Sequence, residues 1–326
     1  MVAWSLLLGA GLALASWNVH LPFYAYSSGP VGDVLNSVHV SDVATYDPEG
    51  ALMMLTVSSQ EVNPFEAVVA GLDPDVDLVP RAAVRRPDES IEDYVARNRE
   101  TMDLSRETAI TLALTRLGFE VTTRSDGVLI AELVEGAPAA SVLHVNDVIT
   151  TVEGEAVELA DQIGPIVAEH RVGDVIALGI KRGDEALDLD VTLTGRDDDP
   201  AAPMIGISAV ALNPRFEYPF PISIDAGLVG GPSAGLMYTL GVMELLEPGD
   251  MTHGRVIAGT GTIDSAGNVG PIGGIRQKVV AAEAAGAELM LVPASNLEEA
   301  LTARRDHLEL IPVATLDEAL AALAAL

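Results

Sequence analysis

The sequence predicts an α+β multidomain chain: an N-terminal transmembrane helix, a β module near the middle and an α/β domain at the C-terminus. Three observations predict it. The first twenty residues form an uncharged apolar run. Hydrophobic residues alternate with polar ones from Leu187 to Leu193. From Ile205 onward, short apolar strands alternate with helical segments. A chain of 326 residues has room for two domains and an extra segment. The expected division is 1–26 as anchor, 27–115 as a strand and helix region, 116–196 as the β module and 197–326 as the C-terminal domain.

The run from Val2 to Trp17 carries no charge and, extended to Leu21, matches the ~20 residues needed to cross a bilayer. Trp4 and Trp17 flank it, and Phe23, Tyr24 and Tyr26 follow, as an interfacial aromatic belt would. A signal peptide cleaved near Ala13-Leu14-Ala15 and a buried core helix are the competing readings. The first basic residue after the run is Arg81, preceded by Asp33, Asp42, Asp47 and Glu49. A flank without Lys or Arg is easily translocated, so the body is expected on the extracytoplasmic side of the cell membrane, held by a single pass.

In the body, Gly50 to Ser58 reads as a strand and Pro64 to Gly71 as a short helix. Ser90 caps a helix with Asp93 at the capping-box position, and Ile91, Tyr94, Val95 and Met102 keep helical spacing toward Arg116. Val128 to Leu133 is a strand. Val175 to Lys181 and Ala186 to Thr192 flank the Arg182-Gly183-Asp184 turn as a hairpin, and a helix interrupted by Pro165 lies near Leu159 to Glu169. Arg196 to Pro200 is a charged linker. Beyond it the predicted order is strand Ile205 to Val210, strand Ile222 to Ile224, helix Pro232 to Leu246, strand Val256 to Ile263 and helix Ile275 to Ala285. Strand Glu288 to Val292, helix Leu297 to Arg305, strand Leu308 to Val313 and helix Leu316 to Ala324 complete it.

Composition excludes several functions. Asp and Glu number 48 against 18 Lys and Arg, a net charge of −30, which leaves no basic face for nucleic acid. There is no cysteine, hence no disulfide, thiolate metal site or cysteine nucleophile. No metal-ligand motif and no cofactor motif occurs. Only Lys181 and Lys278 are lysines; the other basic residues are arginines. Chemistry that needs an amine able to lose its proton has those two candidates, because Arg stays charged.

Gly230-Gly231-Pro232-Ser233-Ala234-Gly235 opens an apolar helix, with Pro232 suited to the first helical position. Ser233 would then lie in the first turn, where the helix end favours an anion such as an alkoxide or oxyanion. A helix N-terminus with an incidental serine is the plain alternative. The G-x-S-x-G pattern also suggests a nucleophile elbow, but Ala226 to Val229 separate it from any strand. The later histidines, His253 and His307, sit in no Gly-framed loop. In Gly270-Pro271-Ile272-Gly273-Gly274-Ile275-Arg276-Gln277-Lys278 a Gly/Pro loop feeds a second helix, with Lys278 in its first turns before Val279, Val280 and Ala281. Burial and the helix end both disfavour a charged ammonium there, so Lys278 can act as general base toward a serine hydroxyl.

Taken together, residues 230–246, 257–287 and 291–296 resemble the proteolytic domain of the Lon family. The resemblance implies Ser233 as nucleophile, Lys278 as general base and Thr260 as the hydroxyl that holds the lysine. Val229-Gly230 departs from the Lys-Asp pair that many members carry before Gly-Pro-Ser. Leu117-Gly118-Phe119, Gly136-Ala137-Pro138-Ala139, Asn146-Asp147-Val148-Ile149 and Gly154 resemble a bacterial PDZ domain, with Asn146 where Gly is usual and Pro165 unusual in the groove helix. That resemblance implies that the backbone of Leu117, Gly118 and Phe119 receives a peptide C-terminus. The whole arrangement resembles bacterial membrane-anchored PDZ domain-containing Lon-like serine proteases. No Gly-Lys-Ser/Thr occurs, so this chain supplies no Walker A ATPase.

The expected function is an ATP-independent, membrane-tethered serine endopeptidase that cleaves flexible membrane or secreted proteins. Backbone N–H groups near Gly231 and Ser233 would stabilise the oxyanion. Its partners would be polypeptide substrates and, through the N-terminal helix, the membrane; self-association is left open. The rival is a catalytically inactive, membrane-tethered PDZ adaptor or regulator, against which the presence of both Ser233 and Lys278 argues.

Overall fold

The computed structural model describes residues 19–134, 136–196, 199–227, 229–303 and 307–326. They form two compact units. One contains residues up to Glu120 together with Pro219–Leu326, and the other is Val121–Tyr218.

The first unit begins with β1 (Phe23–Asp33), β2 (Val38–Val40), β3 (Ala51–Glu61), α1 (Pro64–Ala70), β4 (Asp77–Pro80), α2 (Arg81–Val84) and α3 (Ile91–Arg116). The second contains β5 (Thr122–Arg124), β6 (Val128–Leu133), β7 (Val148–Val152), β8 (Glu155–Ala156) and α4 (Ile163–Ala168). It continues with β9 (Val175–Arg182), β10 (Glu185–Thr192), β11 (Thr194–Gly195), β12 (Pro203–Met204), β13 (Ile207–Ala211) and β14 (Arg215–Glu217). The chain then returns to the first unit with β15 (Ile222–Ile224), α5 (Gly235–Leu246), β16 (Val256–Gly259), β17 (Thr262–Ile263), β18 (Val269–Gly270) and α6 (Ile275–Ala284). β19 (Leu289–Pro293), α7 (Leu297–Thr302), β20 (Glu309–Val313) and α8 (Leu316–Ala324) complete it.

The first unit is built on a six-stranded sheet of order β20-β19-β16-β3-β1-β4. β20, β19, β16 and β3 run parallel, while β1 pairs antiparallel with both β3 and β4. Parallel strands covered by helices read as continuous apolar runs, and β19 is buried at all five positions. Helix α5 is apolar apart from Thr239 and Glu244 and is buried everywhere except Leu245, as a helix inside a core must be. Helix α3 packs on it closely enough that a side chain on Gly235 would meet Ser105 Oγ at 2.8 Å. Helix α6 covers β1 and β3, burying Ile275, Val279, Ala281 and Ala282 against Leu55 and Ala258.

Here the structure departs from the linear reading. Segment 27–115 is not a region of its own: β1, β3 and β4 belong to the same sheet as β16, β19 and β20. Strand Ile207–Ala211, expected to open the C-terminal domain, instead pairs antiparallel with β6 in the second unit. Sheet pairing is a long-range property that local periodicity does not encode. The expected transmembrane helix over 1–26 is also corrected. Among the described residues no helix is long and apolar enough to cross a membrane. Phe23, Tyr24 and Tyr26, read as an interfacial belt, are the first residues of β1, paired with Pro80, Val79 and Asp77 of β4. The apolar run from Val2 to Trp17 lies outside the described residues.

The second unit carries a sheet of order β10-β9-β7-β6-β13, with β8 on β7. Its core is Val128, Ile130, Leu143, Ile149, Ile176, Leu178, Ile180 and Val191. Asn146 adopts φ 74°, a left-handed conformation that Asn tolerates and that Gly supplies freely. Next to it, Asp147 is buried and accepts from His144 N–H at 2.8 Å and from Arg182 Nε and Nη2 at 2.8 and 2.7 Å. These partners hold its carboxyl below the usual range, the Arg182 hydrogen bonds most strongly. Arg182→Ala leaves that buried carboxylate without its cation. The expected result is an earlier denaturant transition of this unit, with Lys181→Ala as an unaffected control.

Candidate active site

Ser233 and Lys278 stand 45 positions apart, and two Gly/Pro loops bring them together. Helix α5 begins at Gly235, so Ser233 precedes the helix instead of occupying its first turn; Ala234 is the N-cap. Helix α6 begins at Ile275 after Gly274, whose φ of 67° is left-handed. A Cβ on Gly274 would meet Val57 of β3 at 2.7 Å, so a larger residue would push the lysine-bearing helix off the sheet.

Lys278 Nζ lies 2.7 Å from Ser233 Oγ and donates to Thr260 Oγ1 at 2.8 Å. The Thr260 hydroxyl donates in turn to the Ser233 carbonyl oxygen at 2.9 Å. With Nζ–H committed to Thr260, the lone pair of a neutral amine is left for the Ser233 hydroxyl. Lys278 is only 2% exposed and Thr260 1%. Burial drives the Lys278 amine down from its ordinary 10.5 to about 7, with no charged neighbour contributing. Near neutral pH the amine therefore spends much of its time uncharged, as a general base must be.

A cleft of about 550 Å³ opens onto the pair. Met54, Leu55, Thr56 and Val57 of β3 line one part, and Tyr26, Tyr94 and Asn98 another. The Val229–Ala234 turn and Pro271–Gly273 close it around Ser233 and Lys278. The β3–β16 ladder ends at Met54↔Gly259, while β3 stays paired with β1 as far as Glu61. Beyond Met54 the strand is thus laddered on one side only among the described residues, and its outer edge can take an extended chain.

Each loop is pinned from elsewhere. Asn98 O accepts from Gly231 N–H at 2.9 Å, and Ser105 Oγ donates to Pro232 O at 3.2 Å, both from α3. Asn296 Oδ1 accepts from Ile272 N–H at 2.9 Å and its Nδ2 donates to Ile272 O at 3.1 Å, fixing the lysine loop. Ser28 Oγ donates to Gln277 O at 3.0 Å. Asn98, Ser105 and Ser28 escape the sequence reading, since nothing in their local pattern marks them.

Two assignments differ from the expectation. Gly231 N–H is spent on Asn98 and is not free for an oxyanion; among the described residues, the Ser233 and Ala234 N–H groups have no acceptor. Leu117, Gly118 and Phe119 close α3. Their N–H groups donate to Ala113 O, Thr115 O and Leu114 O, and Phe119 packs edge-on against Phe220 at 5.1 Å. A helix end consumes the donors that a peptide carboxylate would need.

Activity should rise tenfold per pH unit below about 7 and level off above it, because only the neutral amine can take the serine proton. The logarithm of kcat/KM against pH reads this directly. Glu244, at the far end of α5, is also held near 7 by burial, so Glu244→Gln must leave the midpoint unmoved. Lys278→Arg should abolish turnover, about 10³-fold or more, since guanidinium cannot act as the base. Thr260→Val should lower kcat about tenfold to a hundredfold by freeing the amine to turn away from Ser233.

Comparison with known proteins finds two domain families in the chain. Residues 115–193 match the PDZ domain family, and residues 222–325 match the Lon protease (S16) C-terminal proteolytic domain. The chain is similar to Lon protease of Phenylobacterium zucineum, 44% identical over 77 residues, covering 23% of this chain and 10% of that protein. It is also similar to Lon protease 1 of Herpetosiphon aurantiacus, 36% identical over 99 residues, covering 28% and 11%. The chain thus spans about a tenth of the length of these relatives. The solved PDZ domain of an SdrC-like protein from Listeria monocytogenes aligns at 32% identity, covering 26% of this chain and 87% of that one, with a TM-score of 0.24. The protein therefore carries a PDZ domain and a Lon-type (S16) proteolytic domain, the domain of a serine-type endopeptidase.

Proposed function

We propose that the protein is a Lon-like serine endopeptidase that hydrolyses flexible polypeptides without ATP, the PDZ domain helping to select them. The observation that carries this reading is the buried Lys278 amine 2.7 Å from Ser233 Oγ. An extended substrate lies in the cleft along the outer edge of β3. Lys278 takes the hydroxyl proton as Ser233 Oγ attacks the scissile carbonyl. The Ser233 N–H, with the positive end of α5 behind it, faces the developing oxyanion. The ammonium then protonates the leaving amine, and the freed Lys278 activates the water that hydrolyses the acyl-enzyme.

ATP independence rests on the sequence, in which no Gly-Lys-Ser/Thr occurs. Substrates must then arrive unfolded or flexible.

The test is hydrolysis of fluorescein-labelled casein by the purified chain, with and without ATP and magnesium. Cleavage is expected at the same rate in both, and Ser233→Ala should lower it at least 10³-fold. Casein binding by an intact but non-hydrolysing wild type would favour the adaptor reading instead.

A further inference from the structure

Helix α3 brings a carboxamide to the cleft that neither family match includes, since Asn98 precedes both matched segments. Its backbone carbonyl holds Gly231 N–H at 2.9 Å. Its side chain runs along the same turn. A Cβ on Gly230 would stand 3.1 Å from Asn98 Cβ, and one on Gly231 would stand 3.9 Å from Asn98 Oδ1. A side chain at 230 would press on Asn98 Cβ, so the bare backbone of Gly230 lets α3 approach the turn. Asn98 lines the cleft together with Ser233 and Lys278. Among the described residues its carboxamide makes no hydrogen bond, while its carbonyl also accepts from Thr101 Oγ1 at 3.0 Å. The backbone fixes the residue, and its carboxamide donors remain unspent.

We propose that Asn98 is a catalytic residue: its Nδ2–H donates to the carbonyl oxygen of the peptide bond under attack, beside the Ser233 N–H. The assignment rests on the peptidase reading. As the Ser233 Oγ–carbon bond forms, the carbonyl π pair moves to oxygen and the hydroxyl proton moves to Lys278 Nζ. Asn98 forms no covalent bond; its hydrogen bond shortens as the charge on that oxygen grows. An amide suits this place because it is neutral. A carboxylate would repel the oxyanion and would raise the pKa of the nearby amine, keeping Lys278 charged.

The experiment uses the full chain and fluorescein-labelled casein, with Asn98→Ala, Asn98→Asp and Asn98→Ser compared with the wild type and with Ser233→Ala. Truncation to Ala keeps the carbonyl that holds Gly231, so thermal unfolding should not change. The expected result is a kcat about 10²-fold lower with KM within about threefold, as for loss of one oxyanion donor. Asn98→Ser, a shorter donor, should recover part of it. Asn98→Asp should lose at least as much as Ala, and the midpoint of its pH–rate profile should move above that of the wild type. A kcat within threefold of wild type for Asn98→Ala, or a loss confined to KM, would overturn the assignment. Casein cleavage that Ser233→Ala does not reduce, or no cleavage by the wild type, would overturn the peptidase reading and this assignment with it. Normal Ser233-dependent cleavage in Asn98→Ala would overturn the assignment alone.

Discussion

Burying an amine almost wholly away from bulk water removes the main reason for that amine to stay charged. Lys278 sits in the first turns of α6, against the sheet, and no carboxylate offsets the lost hydration. Its remaining polar contacts are the Thr260 hydroxyl, which takes its N–H, and the Ser233 hydroxyl, which faces its lone pair. Thr260 follows directly on β16, the strand beside β3. The hydrogen-bond chain from amine to threonine to the Ser233 carbonyl thus ties both catalytic loops to one strand end.

The architecture supporting that contact is discontinuous in sequence. The Lon-type match starts at residue 222, yet β1, β3, β4 and α3 of the same unit come from before the PDZ segment. They are structurally required. β3 gives α6 a surface and the cleft a wall, and α3 holds the serine turn through Asn98 and Ser105. Residues 91–120 therefore belong to the peptidase as much as the segment that carries Ser233, and a chain cut at 222 would lack half of its sheet.

Much of this was legible from the residues. Gly and Pro clusters mark both catalytic loops, and the near absence of lysine singles out Lys278, because a role needing only charge could have used Arg. The cap at Ser90 is visible too: its hydroxyl accepts from Asp93 N–H at 3.0 Å. Three things were not legible. Strands such as β1 carry no local sign of their partners, so 27–115 read as separate and its opening aromatics read as a membrane belt. Helix starts depend on which backbone groups find acceptors, and α5 begins two residues later than Ser233. The roles of Gly231 and of Leu117 to Phe119 turned on whether their N–H groups are already taken, which only the fold decides.

The most direct measurement is the ionisation of the Lys278 amine itself. In protein labelled with ¹³C at the lysine ε-carbon, two signals are expected, from Lys181 and Lys278, and Lys278→Arg identifies which is which. The Lys278 signal should shift with a midpoint near pH 7. A midpoint above about 9, in the range of a solvated lysine, would mean an ammonium faces Ser233 at neutral pH, and the account of the site would be wrong.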